Sequence, residues 1–403
     1  MWLRLPLRSL LRNPRRTALT LAIIALGTAV SFVVIGFVAS SVAIIQKNTV
    51  DQFGNVQIAS PSLFDRTATG YDYLTPADRL ARVTVLLRAD PRVTGFSPQL
   101  SFSGLAVVGT TTRVVRATGL VPGNAALDYN TFVVEGKGLE PTDTDRVLVG
   151  RTLATRLGLR PGDYLSLTVT TVDGAYNVSP LKVAGIFRFS VSEVESQQIY
   201  LPLGFAQTLL ATDSVDTVVV DLRAVGETNA VAASLGRAVA SAGLPLSVRT
   251  YEVLSPFYRD LLAYFNVLFG FLLLAVGVLV FFIVLQVTTM SFLERTREVG
   301  TVRALGTTQG GVFRLFLSES ALLGLFGGLL GLVFGALLGS GFNAARIAWQ
   351  PPGTVVPVFL TVTLSFGGAW PSFAVSWMAT VLSALYPALH ASRLRVVDAL
   401  RST

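Results

Sequence analysis

The sequence predicts an α-helical membrane protein with four transmembrane helices in a 1+3 arrangement, the first separated from the other three by a large α+β extracytoplasmic domain. Three observations carry this. Only 14% of the 403 residues are charged and 51% are hydrophobic, against roughly 25% charged in an ordinary soluble domain. The charges are clustered, so long charge-free stretches flank a middle region of normal polarity. Arginines concentrate in three short segments that border those stretches.

A span needs about 20 mostly apolar residues, and a central charge costs ~2.5 to 3.5 kcal/mol on insertion scales, so charge-free runs locate the spans. A basic amphipathic segment, 1–16, precedes the first run, which lies between Arg16 and Lys47. The first span is expected at 17–45; the run exceeds what a bilayer requires, so the helix tilts or continues outside. No small-residue cleavage site follows a short apolar core, which predicts an uncleaved anchor. The second run lies between Asp260 and Glu294 and places a span at 261–290. The third lies between Glu319 and Arg346, within a span expected at 312–342. Its glycines, Gly324, Gly327, Gly328, Gly331, Gly335 and Gly339, contain overlapping G-x-x-x-G spacings and predict a helix-packing seam. The alternative is glycine merely tolerated in a membrane helix.

The last run, from Arg346 to Arg393, is too long for one helix and is interrupted by Pro351, Pro352, Gly353, Pro357, Gly367, Gly368 and Pro371. A final span at 370–389 fits, with an extracytoplasmic excursion at 343–369 and a cytoplasmic tail at 390–403. The segment TVVPVFLTVTLSF is rich in β-branched residues and reads as a short hairpin; a re-entrant segment is the alternative.

Arginine placement orients the chain. Arg4, Arg8, Arg12, Arg15 and Arg16 precede the first span, Arg295, Arg297, Arg303 and Arg314 lie between the second and third, and Arg393, Arg395 and Arg401 follow the fourth. These segments, and so both termini, are expected on the cytoplasmic side of the inner membrane. They hold four acids, whereas residues 46–260 are nearly balanced with 19 basic and 20 acidic side chains. The net charge of +8 is therefore topogenic, and nucleic-acid binding loses its support.

Residues 46–260 form the exported domain. GNVQIAS, TPADRLARVTVLLRAD and GFSPQLSFSGLAVVG read as strand, amphipathic helix and strand-rich segment; VDTVVVDL, ETNAVAASLGRAVASAG and LPLSVRTY repeat strand, helix, strand. Two βαβ-like units, at about 46–111 and 213–260, are expected to pair into one layer built from discontinuous sequence. Between them TTRVVRATGL, YLSLTVTTVD and LKVAGIFRF, with turns at Pro161-Gly162-Asp163 and Asp173-Gly174, predict an inserted, mainly β subdomain at about 112–212.

Several chemistries are excluded. There is no cysteine, hence no disulfide or thiolate metal site, and His390 is the single histidine, so no multi-histidine metal site is possible. The lysines are Lys47, Lys137 and Lys182, none in a phosphate-loop context, so the chain is not itself a P-loop ATPase. G-x-S-x-G and H-E-x-x-H are absent. The acid pairs Asp143/Asp145 and Glu193/Glu195 read as solvated loop charge, and His390 as a contact at the end of the last span. No catalytic residue and no metal site is expected, and the charge-free spans argue against an ion pump.

The segment SFLERTREVGTVRALGTTQGGVFRLFLSES joins spans two and three. Leu293, Val299, Val302 and Leu305 form an apolar stripe, while Glu294, Arg295, Arg297, Glu298 and Arg303 decorate the rest. A short amphipathic helix at the cytoplasmic surface satisfies this; a solvated linking turn is the alternative.

The whole chain resembles the FtsX/MacB/LolC-LolE superfamily of ABC transporter permeases (type VII, mechanotransmission), without a fused nucleotide-binding domain. Three motifs carry the resemblance: LRSLLRNPRRTALTL before span one, ERTREVGTVRALGTT before span three and YPALHASRLRVVDALR at the C-terminus. LATRLGLRPGDYLSL and IYLPLGFAQTLL also look like the MacB periplasmic core. The resemblance implies a porter-like exported domain with an inserted sabre-like part, followed by an FtsX-like permease domain at 261–403. It implies a non-catalytic permease subunit that pairs with a second copy or a homologous permease and docks two copies of a separate ABC ATPase. ATP and magnesium would be bound by that partner, and this chain would hold no cofactor. The coupling helix would map onto 294–306, with Glu294, Arg295, Arg297, Glu298, Gly300, Arg303, Leu305 and Gly306 as contacts. Glycines there permit close backbone approach, and Glu298 and Arg303 suit charged hydrogen bonds. Implied functions are export or extraction of a lipophilic or peptide/lipoprotein substrate, with a membrane-fusion adaptor or lipoprotein carrier as outer partner. The alternative is an FtsX-like regulator that activates a cell-wall hydrolase.

Overall fold

The computed structural model describes residues 14–123, 129–189, 195–294, 296–349 and 358–393. Most of the basic leader and the tail from 394, together with Glu193, Arg295 and the turn residues Pro351, Pro352, Gly353 and Pro357, lie outside the described residues. The chain divides into a unit of long helices and a unit comprising mainly Ile45–Asp260.

Among the described residues, four helices are long and apolar enough to cross a membrane. Helix α1 (Pro14–Phe53) has 40 residues, about 60 Å at 1.5 Å per residue and hence far longer than ~30 Å of hydrocarbon. In the exported unit follow β1 (Val56–Ala59), α2 (Pro61–Phe64), α3 (Ala77–Ala89), β2 (Val93–Val108), β3 (Thr111–Leu120), β4 (Val133–Gly136), β5 (Arg146–Gly150), α4 (Arg151–Leu157), β6 (Tyr164–Thr170), β7 (Tyr176–Phe187), β8 (Gln198–Pro202), α5 (Leu203–Leu210), β9 (Thr217–Leu222), α6 (Thr228–Ser241), β10 (Ser247–Thr250) and α7 (Tyr251–Leu254). The remaining helices are α8 (Pro256–Glu294), α9 (Thr296–Ala304), α10 (Gln309–Ala344) and α11 (Phe366–Arg393).

Helix α11 starts at Phe366, earlier than the expected 370, and contains Pro371 and Pro387. Ser365 supplies the start: its hydroxyl and carbonyl both accept from Gly368 N–H, at 3.3 and 3.2 Å. Gly367 and Gly368 therefore lie in the first turn instead of breaking the chain before it.

The exported unit has two lobes that share one ten-stranded sheet. In the first, β10, β1, β9 and the front half of β2 lie side by side and antiparallel. Strands from both ends of the domain thus interleave, because each βαβ unit leaves an open edge that the other fills. Val83 and Leu87 of α3 and Val231, Leu235 and Val239 of α6 share one buried core with Val56, Ile58, Val218 and Val220 of the strands.

The second lobe closes on itself. The back half of β2 pairs with β3, β3 with β8, β8 with β5, β5 with β7, β7 with β6, and β6 returns to β2. Inward alternation fills this six-strand circuit with Phe102, Val115, Val149, Leu167, Leu181 and Ile199, and α5 adds Leu209 and Leu210. Circuit pairing begins at Leu100, ahead of the 112 expected, because β2 runs unbroken for 16 residues through both lobes. Where β10 ends, Tyr251 N–H bonds Asn55 O at 3.2 Å, and its hydroxyl accepts from Gln46 Nε2 at 2.6 Å.

Candidate coupling segment and helix seam

Helix α9 is described over Thr296–Ala304, inside the 294–306 expected for the coupling helix. Its end is fixed by Gly306, whose φ of +99° suits glycine. Gly306 N–H bonds Arg303 O at 3.0 Å, and Leu305 N–H bonds Thr301 O at 3.1 Å. Two residues later Thr308 N-caps α10, its hydroxyl accepting from Gly311 N–H at 3.2 Å. Gly306 and Thr308 thus punctuate the junction between α9 and α10 and make it a compact elbow.

Within the elbow Gly300 is buried, Arg303 is half-buried, and Glu294 and Gly306 are exposed. Leu305 is 83% exposed, an apolar side chain set just outside the last helical turn. Helix α9 carries Arg297 and Glu298 on its backbone; their side chains, like Arg295, are outside the described residues.

The six seam glycines of α10, Gly324 to Gly339, are buried, and most of them divide between two neighbouring helices. A Cβ at Gly327 would lie 2.8 Å from Ile24, at Gly331 2.5 Å from Thr28, and at Gly335 3.1 Å from Ala29, all on α1. At Gly324 it would lie 3.0 Å from Trp377, and at Gly328 2.7 Å from Phe373, both on α11. Gly339 instead faces Leu364, at 2.8 Å. One face thus serves α1 at i, i+4, i+8 and an adjoining face serves α11, so α10 is the shared axis of three spans.

Other packing residues were not singled out from sequence. Gly27 receives Val280 of α8, with a Cβ there only 2.5 Å from Val280 Cγ2. Gly36 receives the irregular segment before α11: Thr363 N–H bonds Gly36 O at 3.0 Å, and Thr363 shares a 2.7 Å hydroxyl bond with Ser40. Asn343 clamps the same segment, accepting from Val362 N–H at 2.7 Å and donating to Val362 O at 3.0 Å. On α11, Ser372, Ser376, Thr380 and Ser383 are buried, and Ser372, Thr380 and Ser383 bond carbonyls one turn back at 2.8 Å. The i, i+4 recurrence of small hydroxyls was the available signal.

Glu195, expected as solvated loop charge, is buried and accepts from Thr152 Oγ1 at 2.7 Å and Phe189 N–H at 3.1 Å. Asp143 pairs with Arg146 at 3.2 Å. The His390 ring stacks beside Tyr386, centroids 6.3 Å apart. Among the described residues no group of three His, Cys, Asp or Glu side chains could hold a metal ion.

Four apolar helices, an exported α/β unit inserted after the first and a short elbow between the second and third define a polytopic membrane protein with an extracytoplasmic domain, of the ABC transporter permease class. The chain belongs to the MacB-like periplasmic core domain family, which matches residues 17–238, and its C-terminal part matches the FtsX-like permease C-terminal family over residues 267–396. It is similar to the lipoprotein-releasing system transmembrane protein LolC of Xylella fastidiosa strain Temecula1, 26% identical over 343 residues, covering 78% of this chain and 79% of the relative. LolE of Haemophilus influenzae is 24% identical over the same shares of the two chains. A macrolide export ATP-binding/permease protein MacB of Shewanella sp. strain W3-18-1 is 35% identical over 117 residues, 29% of this chain and 16% of that one. Among solved structures, the periplasmic region of MacB from Actinobacillus actinomycetemcomitans gives a TM-score of 0.38 at 15% identity, covering 51% of this chain and 93% of that one.

Proposed function

We propose that this chain is the non-catalytic permease subunit of an ABC transporter whose separate ATPase subunits, two copies holding ATP and magnesium, drive a shape change in the extracytoplasmic domain. The transported substrate is lipophilic or a peptide or lipoprotein, exported or extracted on the outer side. Two permease copies, or this chain and a homologue, form the membrane core, with both termini cytoplasmic.

The observation that carries this reading is the elbow at Thr296–Ala304, between two long spans, with exposed Leu305 and Gly306 at its tip. A projecting apolar side chain beside a positive-φ glycine offers a partner cleft both a knob and close backbone approach. Family membership and the similarity to LolC and LolE over 78% of the chain support a permease role. Motion of the helices, transferred through α1 and α8 to the exported unit, is the mode of action that suits such a chain.

The test is mass spectrometry of proteins co-purifying with the tagged chain from its native membrane, with ATPase activity assayed on the same sample. A stoichiometric P-loop subunit whose association is lost in Leu305→Asp is the expected result. Its reproducible absence under mild extraction, with no ATPase activity, overturns the reading.

A further inference from the structure

The two lobes of the exported unit meet at a neck where one strand serves both. On β2, Gln99 is still opposite Thr217 of β9, while the next residue, Leu100, is already opposite Gly119 of β3. The returning chain enters β9 immediately after Asp216, whose N–H bonds Gln99 O at 2.9 Å. A bridge between Thr75 and Val215 ties the preceding loop to the same point.

The Asp216 side chain is buried in this neck, only 4% exposed. Ser101 of β2 donates to it from both backbone N–H and hydroxyl, and the backbone N–H of Asp216 itself also contributes, yet among the described residues its Oδ1 has no hydrogen-bond partner. Arg116 of β3 is the cation that acts on it. From the segment before α3, the Tyr73 phenol is pushed up to about 12, first by its burial and then by the charge of Asp216, with Tyr71 and Asp72 acting in the same direction and Arg116 against them. A neutral carboxyl tolerates this enclosure, whereas an ionised one carries charge on an oxygen without a donor.

We propose that Asp216 is a proton-operated latch of the neck: neutral, it holds the two lobes together as observed; ionised, it loosens the crossover and lets them move relative to each other. Burial pushes this carboxyl up to about 7, against the opposing pull of Ser101 and Arg116. The latch therefore responds around neutral pH, where an extracytoplasmic domain meets changes in its surroundings. It operates without any ATPase and stands apart from the function proposed above.

The test uses the full-length chain in lipid nanodiscs. Because native cysteine is absent, Val85→Cys on α3 and Val178→Cys on β7 place one spin label on each lobe, at sites 68% and 60% exposed. Pulsed electron paramagnetic resonance then reads the inter-label distance distribution from about pH 5.5 to about pH 8.5. The distribution is expected to shift or broaden with a midpoint near neutrality, and Asp216→Asn to hold the acid form throughout. Arg116→Gln, which removes the favourable cation, is expected to move the midpoint upward. A distribution that ignores pH in the parent, a titration that survives in Asp216→Asn, or an unmoved midpoint in Arg116→Gln overturns the proposal. The last variant decides the matter if Asp216→Asn fails to fold.

Discussion

Gly331→Ala places one methyl group into the contact between the first and third spans. The new Cβ would lie 2.5 Å from Thr28 Cβ, 2.6 Å from Ala25 O and 3.0 Å from Ala25 Cα. Carbon atoms pack comfortably at about 3.5–4.0 Å, so the overlap is about 1 Å, and two of the three atoms met are backbone that no rotamer change can move. Helices α1 and α10 must separate locally, an overpacking cost of typically ~1–3 kcal/mol. Alanine also favours helix over glycine by about 1 kcal/mol. Gly341→Ala on the same helix receives that gain alone, since nothing lies within 4 Å of its Cβ. The difference between the two variants isolates the clash, at roughly 1–3 kcal/mol. Thermal unfolding of both in one detergent, followed by tryptophan fluorescence, measures it. A midpoint for Gly331→Ala equal to or above that of Gly341→Ala would refute the close-packed seam.

Other consequences are open to measurement. Asp216 is raised from its ordinary 3.8 to about 7 in the folded chain, so folding binds its proton: the stabilisation is complete below about pH 4 and is lost as pH rises through about 7. Urea unfolding of the full chain should show that fall, and Asp216→Asn should flatten it. Tyr251→Phe removes the hydroxyl that accepts from Gln46 at 2.6 Å and is expected to cost ~1 kcal/mol in the same unfolding assay. Glu298→Lys should lower ATPase stimulation by the permease while membrane insertion is retained; equal stimulation in the parent and the variant would remove Glu298 from the coupling contact. Cysteines at Ser103 and Ser402 should label from outside and from inside respectively, and outside labelling of the latter contradicts cytoplasmic termini.

Charge-free runs made the spanning helices legible, because in hydrocarbon a single unpaired charge outweighs several apolar side chains. The interleaving of β1 between β9 and β10 was also within reach, since two short βαβ patterns at opposite ends of one domain have few other ways to cover their edges. Closure of the second lobe was not, because strand order among β3, β5, β6, β7 and β8 depends on long-range register that local alternation does not encode. The glycines of α10 were visible as a pattern, but their partition between α1 and α11 depends on which side chain fills each notch. Nor did spacing separate Glu195 from surface acids: its burial depends on Thr152, distant in sequence. Asp216 carries no distinguishing pattern in the sequence, and only the crossing of β2 gives it a place.

The interleaved root of the exported domain also sets an order of assembly. A domain exported in the order of its sequence delivers β1 early, yet both of its partners begin at Thr217 or later. By Pro202 every strand of the six-strand circuit is already available, so that lobe can close while β1 still waits as an open edge. Only when Thr250 has emerged can the root be completed, and with it the two spans become tied through a finished sheet. Assembly therefore runs from the closed circuit to the interleaved lobe, and a chain arrested before β9 would carry a folded circuit beside an unfinished sheet.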